Sequence, residues 1–127
     1  MSEILMTPPE QKCAPKRVLS KTELEYCHDY FEQLFHSKFF KGLNDETRQK
    51  IVLLVGQNGE DGMCVAEIAG HFSLDRTTIS HHLALLRDSR ILILAKRGKE
   101  HYYSLNVQYV VGALKEMMNI LNSCYAK

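Results

Sequence analysis

At 127 residues the chain can hold one domain with a hydrophobic core of moderate size, and its formal net charge of +1 at pH 7 indicates no partner until the charges are located. The longest apolar runs, at 51–55 and 91–95, are far shorter than the roughly 18 to 20 residues of a membrane span, and the N-terminal MSEILM has an acid where a signal peptide has cations. These features exclude a transmembrane or secreted protein and predict a cytoplasmic one, in which four reduced cysteines are expected.

The N-terminal part predicts an arm followed by a helix. Residues 1–19 contain three prolines and no sustained periodicity, so we expect a flexible arm before a single domain at 20–127. Ser20 and Glu23 have the spacing of a capping box, which predicts the start of a helix within 20–40. This helix carries more apolar surface than a small domain covers, which indicates a partner surface. Its stripe, at alternating gaps of three and four, is Leu24, Cys27, Phe31 and Leu34.

A second helix is predicted at 46–55. Asn44 or Asp45 can cap its first turn. The connection at 56–62, GQNGEDG, is glycine-rich and acidic, so it predicts a loop. The side chains of this helix that point into the core are Ile51, Leu54 and Val55.

Residues 65–88 predict two short helices around a tight turn, the arrangement of a helix-turn-helix. Asp75 is the predicted N-cap of the second helix. One side of that helix is apolar, with His82 at its edge, and the opposite side is small and polar. Such a helix can be anchored by one face and read base edges with the other, although an ordinary amphipathic pair with a solvated outer face is the alternative. The apolar residues are Ile79, Leu83 and Leu86, and the polar side holds Thr77, Ser80, His81 and Ala84.

Residues 91–105 predict a β-hairpin. The apolar run 91–95 precedes the alternating run 100–105, and Gly98 can take the positive φ of a tight turn between them. Cations at a hairpin tip are explained better by phosphate contact than by folding, and a solvated basic turn is the alternative. The cations are Lys96, Arg97 and Lys99.

The charges are unevenly distributed along the chain. Residues 1–63 carry eight Lys/Arg against ten Asp/Glu, whereas residues 64–127 carry eight against five. The positive excess therefore lies in the half that contains the predicted helix-turn-helix and hairpin, as DNA binding requires.

The last predicted helix, at 107–124, has a coiled-coil-like seam of less than three heptads, which is too short to be stable alone. We therefore expect it to pair with the stripe of the first helix. The pairing can lie across a dimer, or both stripes can be core of one chain. The seam consists of Val110, Leu114, Met117, Leu121 and Cys124.

Two stretches resemble the ArsR/SmtB family of bacterial winged-helix repressors. FKGLNDETRQKIVLL at 40–54 looks like the family's "ALADPTRLRILLLL", and SLDRTTISHHLALLR at 73–87 looks like its "LSQPTVSHHLKVLR". The resemblance covers about residues 39–121. It implies a mainly α fold with a small β-hairpin (α+β), a winged helix-turn-helix whose helices at 20–40 and 107–124 form a homodimer interface.

DNA contacts follow from the pattern and from this resemblance. Arg76, directly after the cap, is the candidate for a bidentate contact to guanine. The resemblance places Thr47 and Arg48 near the DNA backbone. The other candidates on the second helix and the hairpin are Thr77, Thr78, Ser80, His81, Arg87, Lys96, Arg97 and Lys99.

The resemblance also suggests metal sites. The family's zinc site on the last helix is expected to be absent, because the matching positions are Val107, Tyr109, Ile120 and Ser123. A second family site begins in a Cys-Val-Cys stretch, of which this chain keeps Cys64 and has Ala66 in place of the second cysteine. Cys64 and Cys13 are therefore the candidates to hold arsenite or a soft divalent metal through thiolates, although no Cys-x-x-Cys spacing supports this.

Cys27 and Cys124 suggest a thiol switch instead. They lie on the two stripes predicted to meet, and thiol-switch relatives in the family respond to oxidants in this way. A bridge requires their Cα atoms to lie within about 7 Å. The alternative is four reduced cysteines, two of them small apolar core residues.

Together these features predict a dimeric repressor that binds a palindromic duplex DNA operator and is released by a small inducer. The alternative is a winged-helix module for protein association, without a DNA role. No enzyme is predicted, because the sequence has no nucleophile elbow, phosphate loop or metal-ligand cluster.

Overall fold

The computed structural model describes residues 20–125, so the predicted arm at 1–19, including Cys13, lies outside the described residues. A single-turn 3₁₀ helix at Gly59–Asp61 follows the third α-helix. The elements are α1 (Lys21–Phe35), α2 (Lys38–Leu43), α3 (Glu46–Gln57), β1 (Met63–Cys64), α4 (Val65–Ala69), α5 (Arg76–Asp88), β2 (Leu92–Arg97), β3 (Glu100–Leu105) and α6 (Val107–Tyr125).

Two helices stand where the sequence predicted one at 20–40. α1 begins at the predicted capping box, in which the hydroxyl of Ser20 accepts from the N–H of Glu23 at 3.1 Å. It ends before Ser37, whose hydroxyl donates to the carbonyl of Leu34 at 2.6 Å and accepts from the N–H of Phe40. One serine thus satisfies backbone groups at the end of α1 and the start of α2, which allows the break between them.

The helix-turn-helix is formed by α4 and α5, as predicted. α5 packs its apolar face against α3 and α4, and this contact is the centre of the core. Burial of these branched aliphatic side chains stabilises the domain and fixes the orientation of α5. The core side chains from the three helices with no exposed surface are Ile51, Val55, Ile68, Ile79, Leu83 and Leu86.

A three-stranded antiparallel sheet, in the order β1-β3-β2, flanks these helices. The hairpin of β2 and β3 was predicted, and β1 was not. β1 has only two residues, too few to show an alternating pattern, and its register is set by pairing with β3, with Met63 opposite Tyr103. The mainly α fold with a small sheet is therefore confirmed.

α6 packs against α1 within the same chain. Cys27 and Cys124, both buried, form a disulfide here, with their Cα atoms 6.2 Å apart. The expectation that all four cysteines are reduced is therefore wrong for this pair. A cellular compartment indicates which thiol state is common, but only the packing of two helices decides which thiols meet.

The predicted seam of α6 is divided between two faces. Val110 and Met117 are half-buried within the chain, whereas Leu114 and Leu121 are 47% and 41% exposed. Together with their exposed neighbours they form what we call the α6 stripe: Val107, Val111, Leu114, Met118 and Leu121. Between residues 20 and 125 none of the helices combines the length and apolar character needed to cross a bilayer.

Candidate nucleic-acid interface

The outer face of α5 presents the side chains that the sequence assigned to base contact. Arg76, Thr77, Ser80 and His81 are exposed, and Arg87 is exposed in the last turn. The opposite, apolar face of α5 is buried in the core, so the helix cannot rotate about its axis without exposing these apolar side chains to solvent. The result is a rigid helix with a polar, donor-rich surface, which is what base reading in a major groove requires.

Thr78, a predicted DNA contact, takes part in the N-terminal cap of α5. It is half-buried, and its N–H donates to the carboxylate of Asp75 at 2.8 Å. Hydrogen bonds from its hydroxyl and then from its N–H lower the pKa of the Asp75 carboxyl below the ordinary value of 3.8. Thr78 therefore belongs to the cap that starts α5, and its contact with DNA stays a prediction.

The wing places its cations on a strand as well as in the turn. β2 continues through Lys96 and Arg97, which pair with His101 and Glu100 of β3. This leaves a two-residue turn, in which Gly98 has a φ of +61°. A positive φ at the first turn position suits the twist of a hairpin and favours glycine. Lys96, Arg97 and Lys99 are all exposed.

Tyr102 supports one of these cations, a role that was not predicted from the sequence. The guanidinium carbon of Arg97 lies 4.6 Å from the centroid of the Tyr102 ring, a cation–π contact. Ala95 stands opposite Tyr102 in the register, so Arg97 is its diagonal neighbour on the same face. The signal was present, because residues two apart on a strand share a face, but it needed the register of the hairpin to be known.

Arg48 is placed differently from the prediction. Its guanidinium donates to the carbonyls of Gly42 at 2.8 Å and Lys41 at 3.2 Å, and lies 3.2 Å from Nδ1 of His82. It is half-buried, as is the neighbouring Thr47. A guanidinium with all three nitrogens engaged inside the protein ties α2, α3 and α5 together, and its contact with the DNA backbone stays a prediction.

Cys64, a free cysteine among the residues that the structure describes, is buried in β1 directly before α4. Its predicted partner lies outside the described residues. In the part of the chain that the structure describes, three potential metal ligands come together only on the surface of α1, at His28, Asp29 and Glu32. These are oxygen and nitrogen donors, and Cys64 is not among them, so they are not the thiolate site that the sequence suggested.

Comparison with known proteins identifies the family. The family model described as "Bacterial regulatory protein, arsR family" matches residues 45–93, from the cap of α3 into β2. The transcriptional repressor SdpR of Bacillus subtilis (strain 168) is 36% identical over 83 residues, which cover 65% of this chain and 89% of that protein. An arsenical resistance operon repressor of Escherichia coli (strain K12) is 41% identical over 78 residues, covering 61% of this chain and 65% of that protein.

A solved structure supports the same assignment. The crystal structure of the transcriptional repressor PagR of Bacillus anthracis matches with a TM-score of 0.54 and 27% identity, over 69% of this chain and 98% of that one. The family match at residues 45–93 thus covers the helix-turn-helix described above and ends in the first strand of the wing. The chain belongs to the arsR family of bacterial regulatory proteins, and it is a DNA-binding transcriptional regulator rather than an enzyme.

Proposed function

We propose that this protein is a homodimeric repressor of the cytoplasm that binds a palindromic operator and leaves it when Cys27 and Cys124 are oxidised to a disulfide. The observation that carries the proposal is the junction of α1 and α6, where these two cysteines are joined. The bridge connects residues 97 positions apart, so its formation or reduction changes a constraint between two whole helices.

The α6 stripe supports the dimer. Its side chains are 40% to 60% exposed, and Leu24 of α1 is 51% exposed. A contiguous apolar surface of this kind is typical of an interface, and a second copy of the chain offers a surface of the same character. Two copies related by a dyad would present two α5 helices to successive turns of a duplex, about 34–36 Å apart, which is why the operator is proposed to be palindromic.

The two cysteines are buried, but they lie beside a surface cleft. A cleft of about 310 Å³ opens at the disulfide, lined in part by Thr22, Tyr26 and Ser123. With a hydroperoxide as oxidant, one thiolate attacks an oxygen to give a sulfenic acid and an alcohol or water. The second thiol then displaces water to form the S–S bond. Two thiols lose two protons and two electrons, and one peroxide is reduced.

A selection experiment tests the operator and the redox response together. The reduced protein selects duplexes from a randomised library, and fluorescence anisotropy then compares reduced and peroxide-treated protein on the enriched duplex. We expect an inverted repeat, and a loss of about tenfold or more in affinity on oxidation. Cys27→Ser should bind equally before and after peroxide, whereas Cys64→Ser, the matched control, should respond like the unaltered protein.

The outcomes separate the parts of the proposal. If no sequence is enriched, the proposed operator is contradicted. This result would favour the alternative, a winged-helix module for protein association. Enrichment of an inverted repeat with equal affinity in both thiol states would remove only the redox response.

A second inducer, arsenite, is favoured by the relative from Escherichia coli, which is a repressor of an arsenical resistance operon. In this case the thiolates of Cys64 and Cys13 would capture the metalloid, or a soft divalent metal. Cys64 is 8% exposed, and its N–H donates to the carboxylate of Glu67 at 3.0 Å, so capture would require α4 to move. Arsenite added to the reduced complex should release DNA from the unaltered protein and not from Cys64→Ser; release from both would contradict this inducer site.

A further inference from the structure

The residue that follows the C-cap of α5 has an unusual backbone. Arg90 has a φ of +69°, and it is the only residue other than glycine with a positive φ between positions 20 and 125. Its N–H donates to the carbonyl of Arg87 at 2.9 Å, and the next N–H, of Ile91, donates to Leu86 at 3.1 Å. This is a Schellman motif, whose left-handed position normally holds glycine, because a Cβ is disfavoured there.

A disfavoured backbone conformation persists only where the surrounding structure holds it. Here Asn106 makes two hydrogen bonds to the backbone of Arg90 and of the residue after it. The side-chain amide of Asn106 donates to the carbonyl of Arg90 at 3.0 Å, and the backbone N–H of Asn106 donates to the carbonyl of Ile91 at 2.9 Å. Two consecutive carbonyls after the recognition helix are therefore bound by a single residue.

Asn106 also begins α6. Its side-chain oxygen accepts from the N–H of Tyr109 at 3.3 Å, and its carbonyl accepts from the N–H of Val110 at 3.0 Å. The oxygen of its amide thus caps α6 while the nitrogen binds the end of α5. α6 is the helix that carries Cys124 and the α6 stripe, so this amide lies between the proposed dimer and redox helix and the helix that reads DNA.

We propose that Asn106 is a positioning residue, which sets the end of α5 and the start of the wing relative to α6 by holding Arg90 in its left-handed conformation. The role rests on the proposed DNA-binding function, in which the relative placement of α5 and the wing decides whether both contact one duplex. A movement of α6 is passed to the end of α5 through this amide, since the same side chain is bonded to the first turn of α6 and to Arg90, which follows the C-cap of α5.

A double-mutant cycle tests the role. Asn106→Ser keeps a good N-cap for α6 but is too short to donate to the carbonyl of Arg90. Arg90→Gly removes the cost of the left-handed backbone, so the donor is no longer needed. We expect Asn106→Ser to lower affinity for the selected duplex about fivefold in the native background, as loss of one hydrogen bond implies, and less than about twofold in the Arg90→Gly background. Asn119→Ser, the same change at an exposed position of α6, should have no effect in either.

The cycle has decisive outcomes. If Asn106→Ser lowers DNA affinity by the same factor in both backgrounds, Asn106 acts only as a cap or through general stability, and the proposal is overturned. No loss of affinity in the native background would overturn it as well. The urea midpoints of the four proteins provide the same cycle without DNA, and non-additivity is expected there too. If the unaltered protein selects no duplex, the proposed function fails, while the urea cycle still decides whether Asn106 holds Arg90.

Discussion

Nη1 of Arg48, in the first turn of α3, lies 3.2 Å from Nδ1 of His82 in the recognition helix. Because a guanidinium can only donate, Nδ1 of the imidazole is the acceptor in this contact. The side chain of His82 is 14% exposed, and the carboxylate of Asp45 lies 4.0 Å from the same nitrogen. α3 and α5 are thus connected by a small polar cluster at the edge of the core.

Arg48→Ala should destabilise the protein by about 2 kcal/mol, because two carbonyls and one imidazole lose their donor. Arg48→Lys should recover little, since an ammonium cannot replace the fork of the guanidinium. Urea unfolding measures the loss. The slope of log affinity against log salt should not change, and a slope reduced by about one would instead show that Arg48 contacts a phosphate.

Asp45 makes the stability of α3 depend on pH. A hydrogen bond from the N–H of Arg48, at 3.0 Å, is the main cause that lowers the pKa of its carboxyl below the ordinary value of 3.8. A lowered folded-state pKa gives stability that is fully present above the unfolded value and is lost as the pH falls through the folded one. The free energy of unfolding of the native protein should therefore exceed that of Asp45→Asn by an amount that shrinks as the pH falls below about 5. A difference that stays constant over this range would contradict the assignment.

Arg76 and Arg97 should affect DNA binding in different ways. Arg76→Ala, in the first turn of α5, should relax sequence preference, since a bidentate contact to guanine discriminates by about 1–3 kcal/mol. Arg97→Ala, on the wing, should weaken selected and random DNA about equally and reduce the salt slope by about one. Anisotropy on both duplexes over a salt series measures this. Equal behaviour of the two variants on both duplexes would contradict the division of roles.

Tyr102 should contribute to DNA binding through the position of Arg97. Tyr102→Leu removes the ring beneath the guanidinium and should weaken binding to any duplex by about 0.5–1 kcal/mol. Tyr102→Phe keeps the ring and serves as the matched control, with affinity close to that of the native protein. If Tyr102→Leu binds normally, the stacking does not matter for DNA binding.

Leu114 should be required for the dimer. Leu114→Glu places a charge in the middle of the α6 stripe, where the leucine is 47% exposed, and should give a monomer at micromolar concentration in sedimentation velocity. Leu74→Glu, at a leucine 41% exposed in the helix-turn-helix turn, should remain a dimer. If both variants are monomers, or if both are dimers, the α6 stripe is not the dimer interface.

Features that arise from neighbours in the chain could be read before the structure. The capping box of Ser20 and the cap of Asp75 lie where they were predicted, as does the apolar face of α5, and the turn at Gly98 has its expected positive φ. Each depends on residues within about four positions of one another, so periodicity and turn chemistry are enough to identify it. The break at Ser37 is also local, but the continuing apolar stripe concealed it.

The sequence by itself determined the helix-turn-helix, the hairpin and the polar surface of α5, because each of these patterns arises from residues that are close together in the chain. Only the tertiary structure decided that Arg48 turns inward while Arg97 stays exposed, and that Cys27 meets Cys124. It alone showed that Asn106 bonds a carbonyl 16 positions away. Such pairings depend on how α-helices and strands from distant parts of the chain pack, and no local periodicity encodes that distance.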